Sequence, residues 1–484
     1  MNSKILIRVA VLFSASCALI SLVGCRAPAA PANQTQRPNV LFIVSDDLNM
    51  HLGCYGDAIV KTPNLDRLAK RGVRFDRAYA QYPVCNPSRT SFLSGLHPET
   101  THVMVQTDVL RDTMTNVVYL PEHFRANGYY TAGIGKIQHG GHEDLKWDFK
   151  DDLKSGEADD DEGGKKANKK GKGDAKPRER KGNSDKKNSD NPSYTKFRAT
   201  AGDDDPENAD TQIAAKVITA LEQHKDKPFF IAAGFHKPHV PHVAPQKYFD
   251  LYPLDKIELA KVPPHDEDDI PKAALASKRN YQPDMPDKTK REIIASYLAC
   301  VSYMDAQAGR VLDALDRLKL TDNTIVIFIS DHGWHFGEHN WWAKASLFEE
   351  STHVPLLVAG PRIKGAQVCP RVVEYLDIYP TLAELCGLPK PPQGEGKSFA
   401  PLLKNPEQPW NKVAFTCENR TGMLGRSVRN EHFRYTEWNE GKAGTELYDH
   451  EADPHEWTNL AKSPEHQKIV AEMKSLLRQG FKSQ

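Results

Sequence analysis

Apolar residues in this chain gather in short continuous runs, and four of these runs end in clusters of charged or titratable residues. Val40 to Val44 runs into Asp46-Asp47, Tyr129 to Ile134 into Lys136 and His139, Phe229 to Phe235 into His236, Lys237 and His239, and Thr324 to Ile329 into Asp331-His332. Turn, Pro or Gly signals bound each run, which predicts buried strands of an open, mostly parallel sheet. Ligands of such sheets bind beyond the carboxyl ends of the strands, so the four clusters are expected to converge on one site. Further on, Val372 to Leu385 predicts a helix ahead of Gly387-Leu388-Pro389, and about Glu465 to Gln479 a last amphipathic helix. The expected fold class is α/β: a large domain over 37–400 and a smaller α+β subdomain over 401–484.

Asp46, Asp47 and Asp331 would repel one another if brought together without a cation. A hard divalent ion, calcium or alternatively magnesium, would compensate them, since a transition metal would be expected to show more imidazole or thiolate. An Asp pair after a strand is also an ordinary turn or helix cap. In Cys85-Asn86-Pro87-Ser88-Arg89 the Pro-Ser pair reads as a helix start, which puts position 85 near a positive helix N-terminus, and Arg89 adds a permanently charged fork. Both features favour a negatively charged nucleophile and substrate. The plainer alternative is an inert, packed cysteine.

The formal net charge of the 484 residues is +0, which removes any global argument for nucleic-acid binding. Lys4 and Arg8 precede an apolar stretch, Val9 to Val23, shorter than the roughly 20 residues that span a bilayer. Its end, Leu22-Val23-Gly24-Cys25, resembles a bacterial lipobox. That resemblance implies a signal peptide over 1–24, a lipid anchor on Cys25, an Ala/Pro tether over 25–36, and export to the periplasm or cell surface. An ordinary secretory signal is the alternative. Of the 8 cysteines, Cys54, Cys300, Cys369, Cys386 and Cys417 remain for structure, and at most two bridges could form among them. Residues 151–191 collapse to charged and small polar types that build no core, so a disordered insert is expected. It reads either as a solvated surface segment or, through Lys165 to Lys187, as a site for polyanionic glycan.

Cys85 to Arg89, continued by Thr90-Ser91-Phe92-Leu93-Ser94-Gly95, resembles the signature at which type I sulfatases convert cysteine into formylglycine. Arg37-Pro38-Asn39-Val40, Leu52 to Asp57 and Thr62 to Asp66 resemble the amino-terminal pattern of the same family. Its iduronate-2-sulfatase branch is the most similar in Gly135 to His139, Phe235 to Pro241, Ser330 to Trp334, Gly337-Glu338-His339 and Trp342-Ala343-Lys344. The resemblance implies an alkaline-phosphatase-like fold, with a large mixed sheet flanked by helices. It also implies a formylglycine-generating enzyme as partner, and Asp46, Asp47, the modified Cys85, Asp331 and His332 around calcium. Arg89, Lys136 and His139 would hold and activate the aldehyde hydrate, whose second hydroxyl lets sulfate leave by C–O cleavage. His236 and Lys344 would grip the sulfate, and one of them would protonate the departing sugar oxygen. His239 and Trp342 join His236 and Lys344 as expected substrate contacts, with Trp334 and Trp341 read either as part of a stacking floor or as core.

The function this implies is exo-removal of a 2-O-sulfate from a terminal uronate of a sulfated polysaccharide. A sulfatase for another glycan, such as an algal one, shares every motif. A two-metal phosphohydrolase fits less well, because the cysteine motif and single oxygen-rich site have no place in it. A non-catalytic glycan-binding lipoprotein would be marked by missing catalytic groups, and none of the expected positions is missing.

Overall fold

The computed structural model describes residues 37–139, 145–153, 197–200, 205–278, 285–419 and 421–481. The expected signal segment, the tether with Cys25, and the charged insert beyond residue 153 lie outside the described residues.

Eight strands form one sheet in the spatial order Gln367–Glu374, Gly72–Tyr79, Leu356–Ala359, Thr324–Ser330, Asn39–Asp46, Phe229–Pro238, Tyr130–Gly135 and Phe149–Asp151. Leu356–Ala359 runs antiparallel to both neighbours, and the remaining pairs are parallel. The four apolar runs are four adjacent strands of this sheet, which explains why they are apolar on both faces. Leu41 and Ile43 enter a core with helices Ala209–His224 and Asp287–Arg317. Val40, Phe42 and Val44 enter the opposite core with Phe92, Leu93, Leu120, Phe124 and Leu382.

A second, antiparallel sheet runs Ala414–Glu418, Gly425–Arg429, Phe433–Trp438 and Gly444–Asp449. Helix Gln467–Gly480 lays Met473 and Leu477 on its Val428, Tyr435 and Leu447. The architecture is the expected α/β one, a large mixed sheet flanked by helices with a smaller C-terminal sheet.

Two local expectations are corrected. Val372 and Val373 belong to a strand that pairs in parallel with Arg77 and Ala78, and the helix begins only at Ile378. The helix of the cysteine motif begins at Cys85 itself, two residues before Pro87. Cys54, Cys300, Cys369, Cys386 and Cys417 are unbridged, within the bound of at most two bridges.

Candidate active site

Strand register assembles the site. Asn39 pairs with Thr324 and Ser45 with Ser330, so these strands end flush and Asp46-Asp47 emerges beside Asp331-His332. On the other side Gly135 pairs with Gly234. A Cβ on Gly135 would lie 2.2 Å from the Gly234 carbonyl oxygen, and one on Gly234 would lie 2.3 Å from that of Lys136. Two glycines therefore let these strand ends close together, and Gly135 takes a left-handed φ of +81°. Lys136 leaves the strand pointing at the same place as Asp46-Asp47 and Asp331-His332.

Cys85, at the first turn of its helix, sits in the middle. Its Sγ lies 3.3 Å from both His332 Nε2 and Lys344 Nζ, 3.6 Å from Asp46 Oδ1, 3.9 Å from Asp47 Oδ1 and 4.0 Å from Lys136 Nζ. Arg89, one turn along, spans two carboxylates. Its Nη2 donates to Asp46 Oδ1 at 2.9 Å and its Nε to Asp331 Oδ2 at 3.0 Å, while Nη1 donates to the Lys136 carbonyl. Lys136 Nζ donates to Asp46 Oδ2 at 2.6 Å and Lys344 Nζ to Asp47 Oδ1 at 2.9 Å. Asp331 Oδ1 accepts the backbone N–H groups of Asp47 and His332.

Three carboxylates thus face three basic side chains, so mutual repulsion alone does not require a metal here. The donor set does fit one. Asp47, Cys85, Asp331 and His332 each offer a ligand atom within 4.8 Å of the others. Asp47 Oδ2 is buried without a hydrogen-bond partner, 3.8 Å from His239 Nε2. Such an orphaned oxygen among carboxylates and an imidazole suits a hard divalent ion. Asp46 stands outside this quartet, held by Arg89 and Lys136.

Burial pushes the Cys85 thiol well above its ordinary value, and Lys136 and Lys344 only partly offset this. The unmodified thiol therefore stays protonated and is a poor nucleophile. Burial opposes the ionisation of Asp46, yet Lys136 and Arg89 hold its carboxyl well below the usual range. His139 is brought down to about 3, first by burial and then by the Lys136 charge; its Nδ1 is buried without a hydrogen-bond partner. Burial and Lys136 likewise lower His236 to about 4, and its Nε2 is engaged by the Leu153 carbonyl at 2.7 Å. His239 goes the other way: burial works against protonation, but Asp47 and Asp46 raise it.

The structure brings Cys85, Arg89, Lys136, Lys344, Asp46, Asp47, Asp331, His332 and His239 into this cluster, with His139 and His236 facing its charges. Trp334, Trp341 and Trp342 are packed instead, at 2%, 1% and 4% exposure. Trp334 stacks on Tyr297, and Trp341 Nε1 donates to the Lys344 carbonyl. Trp342 edges a groove of about 650 Å³ with Phe336, Asn340, Lys290 and Arg291. Two supporting residues carry no local signal in the sequence. The Tyr297 hydroxyl donates to the Asp47 carbonyl at 2.7 Å, and Asp210 accepts the backbone N–H groups of His236 and Lys237. Asp210 is legible only as an acidic residue in the first turn of a helix capped by Asn208.

Residues 38–388 match the family model described as Sulfatase, and 337–483 match N-sulphoglucosamine sulphohydrolase, C-terminal. The chain is 35% identical to a sulfatase of Formosa agariphila, over 95% of this chain and 90% of that protein. It is 33% identical to the iduronate 2-sulfatase of Mus musculus, over 84% and 85%. Among solved structures, BT4656 in complex with its substrate D-glucosamine-2-N,6-O-disulfate shares the fold, with a TM-score of 0.74 at 22% identity over 93% of this chain and 99% of that one. BT1596, a 2-O GAG sulfatase, gives 0.69 at 25% identity over 92% of each. Fold and sequence likeness together define a hydrolase whose titratable residues gather at the strand ends of a mixed sheet. The chain belongs to the sulfatase family, whose members hydrolyse sulfuric esters with a formylglycine and a divalent metal ion.

Proposed function

We propose that this sulfatase removes 2-O-sulfate from a terminal uronate of a sulfated polysaccharide, with formylglycine at position 85 and one calcium ion. The observation that carries the mechanism is the setting of Cys85, a thiol kept protonated by burial and yet ringed by His332, Lys136 and Lys344. A formylglycine hydrate there would supply a hydroxyl nucleophile together with a second hydroxyl through which sulfate can be expelled. Asp47, Asp331 and His332 would hold the ion, with Asp47 Oδ2 gaining the partner it lacks, and Asp46 would join them by giving up part of its pairing with Arg89 and Lys136.

Lys136 and Lys344 present two ammonium groups to the same point, the charge that sulfuryl oxygens require. His139 is neutral at working pH, and it would become an effective base toward the group at position 85 only where bound sulfate offsets the Lys136 charge that adds to burial in holding it down. His236 is neutral as well and shares a hydrogen bond with the Leu153 carbonyl, so the Lys344 ammonium is the better placed acid for the departing sugar oxygen. The uronate reading rests on likeness to the iduronate 2-sulfatase and to the 2-O GAG sulfatase, and on His239 beside the cluster, 3.8 Å from Asp47, as a hydrogen-bond donor for a substrate carboxylate. The lipobox-like segment further leads us to propose export and anchoring through Cys25.

Peptide mass analysis of active protein tests the first part: residue 85 is expected as the aldehyde or its hydrate, and Cys85→Ser is expected to lose multiple turnover. Full turnover by Cys85→Ser would sink the mechanism. A substrate panel tests the second. Terminal 2-O-sulfated iduronate is expected to exceed neutral sulfated hexoses by roughly 10-fold or more in kcat/KM, because a buried group that loses its charged partner is costly. Equal efficiency on 6-O-sulfated galactose would refute the uronate reading and leave the sulfatase chemistry standing.

A further inference from the structure

A second group of metal-type donors lies where the loop after Gly337 meets the C-terminal segment. His339, Glu350 and Glu456 each offer a ring nitrogen or carboxylate oxygen, all within 4.8 Å of one another. His339 is fully buried and Glu456 is 1% exposed. His339 Nδ1 bonds Asp266 Oδ2 at 3.0 Å, which leaves Nε2 as the ring's other site, and that atom is buried with no hydrogen-bond partner. Glu350 Oε2 is buried without a partner too, as is His335 Nδ1, 4.0 Å from it. Buried polar atoms are normally paired, so three orphans around one space call for a common partner. All three are acceptors when Glu350 is ionised and the His335 Nε2 hydrogen is spent on Ser346 Oγ at 2.7 Å, so that partner must be a cation, a proton or a donating water, and the two carboxylates beside it favour the cation.

The adjoining trio of Glu349, His450 and Glu456 shows what a satisfied version looks like. There Arg434 reaches both Glu349 and Glu456, His450 Nε2 lies 3.0 Å from Glu456 Oε1, and Glu456 Oε2 accepts the Glu349 backbone N–H at 2.8 Å, so Glu456 is shared by the two groups and would offer an ion a remaining lone pair. On the His339 side Lys278 Nζ donates to Glu267 and to the His339 carbonyl. Phe348 stacks on the His339 ring at 4.0 Å and Trp457 packs at 4.9 Å, which makes the surroundings dry.

We propose that His339, Glu350 and Glu456 form a second divalent-metal site, with zinc as its ion and Asp266 fixing the His339 ring. One imidazole and two carboxylates suit zinc, whereas calcium takes six to eight oxygens. A carboxylate on the far nitrogen of a ligating histidine is the usual support of such a ligand, and Asp266 supplies it. Tetrahedral bonds of about 2.1 Å set ligand atoms about 3.4 Å apart, so small side-chain rotations close the site, with water as fourth ligand. The ion would tie the segment of Asp266, the helix of Glu350 and the turn of Glu456 together behind the stretch that carries Lys344. Its role is structural and separate from the Cys85 cluster.

Zinc binding is best measured on the full chain carrying Asp47→Asn, which disables the first cluster. This protein is expected to retain about one zinc per chain after dialysis and to rise in Tm when zinc is added. Adding His339→Gln is expected to abolish both effects. Because that variant could misfold, Asp266→Asn serves as the second, expected to keep the fold and weaken zinc binding about 10–100-fold. If folded Asp47→Asn protein binds no zinc, the orphans are satisfied by a proton on Glu350 or a donating water and the proposal falls. It falls equally if Asp266→Asn and His339→Gln bind zinc as tightly as their parent.

Discussion

Arg89 shows how much a single side chain carries at this site. Its guanidinium, 1% exposed, joins Asp46 to Asp331 and ties both to the carbonyl of Lys136, so three strand ends meet on one planar fork. An ammonium cannot reproduce two donors at fixed spacing. Arg89→Met leaves two buried carboxylates short of a cation and is expected to cost about 3–5 kcal/mol in urea unfolding. Arg89→Lys should recover part of that stability while activity remains far below wild type. A stable Arg89→Met would show that the carboxylates do not depend on the guanidinium. The need for such a cation was legible in the sequence as three acidic residues at strand ends. Its identity was not, because Arg89 was read as a partner for the oxyanion, and its contacts with Asp46 and Asp331 depend on a helix packing against strands far away in sequence.

At the scale of elements, the strand edge is set by backbone approach as much as by hydrogen-bond register. Gly135→Ala would place a methyl group 2.2 Å from the Gly234 oxygen and 2.5 Å from Ile213 Cδ1, on a backbone at φ +81°. The expected cost is about 2–4 kcal/mol, the left-handed penalty plus overpacking, with kcat falling as Lys136 is displaced from position 85. Gly128→Ala is the control. Its φ is +85° with nothing within 4 Å, so only the conformational penalty of about 1–2 kcal/mol should appear, with kcat unchanged. Equal losses in the two variants would mean that the close approach at Gly135 is not what positions Lys136.

Elements of this kind were the readable part of the chain. The four runs ending in Asp46, Lys136, His236 and Asp331 became adjacent strands because apolar residues on both faces admit few alternatives. The run from Val372 is less decisive, because its apolar residues fit a strand or a helix, and only pairing with Arg77 and Ala78 decides between them. The tryptophans near Lys344 were unreadable in another way, since a stacking surface and a packed core call for the same residue type.

For the whole molecule, buried titratable groups of opposite tendency set the dependence of stability on pH. Burial holds three histidines far down, His97 and His236 at about 4 and His242 at about 3, and lowers His335 well below its usual value. Each lacks a proton that an unfolded histidine gains below about pH 6.5, so each withdraws stability as pH falls through that value. Burial raises Asp210 and Asp305 to about 6 and Glu446 to about 7. These carboxyls bind protons that unfolded ones lack above about pH 4, so their contribution is fully present below that pH and lost as pH rises through 6 to 7. Between pH 7 and 5 the two sets oppose each other, the carboxyls offsetting part of what the histidines withdraw. Removing one member exposes the balance. His242 bonds only Ser296 Oγ, at 2.9 Å, and its Nε2 is an orphan, so His242→Gln is tolerable in shape and deletes one proton from the unfolded side of the ledger. Measured by urea unfolding at fixed metal concentration, the variant should gain about 2 kcal/mol relative to wild type on going from pH 7 to pH 5, from a slope of about 1.4 kcal/mol per unit and proton. A pH profile parallel to that of wild type would show that the His242 ring is free to protonate in the folded protein.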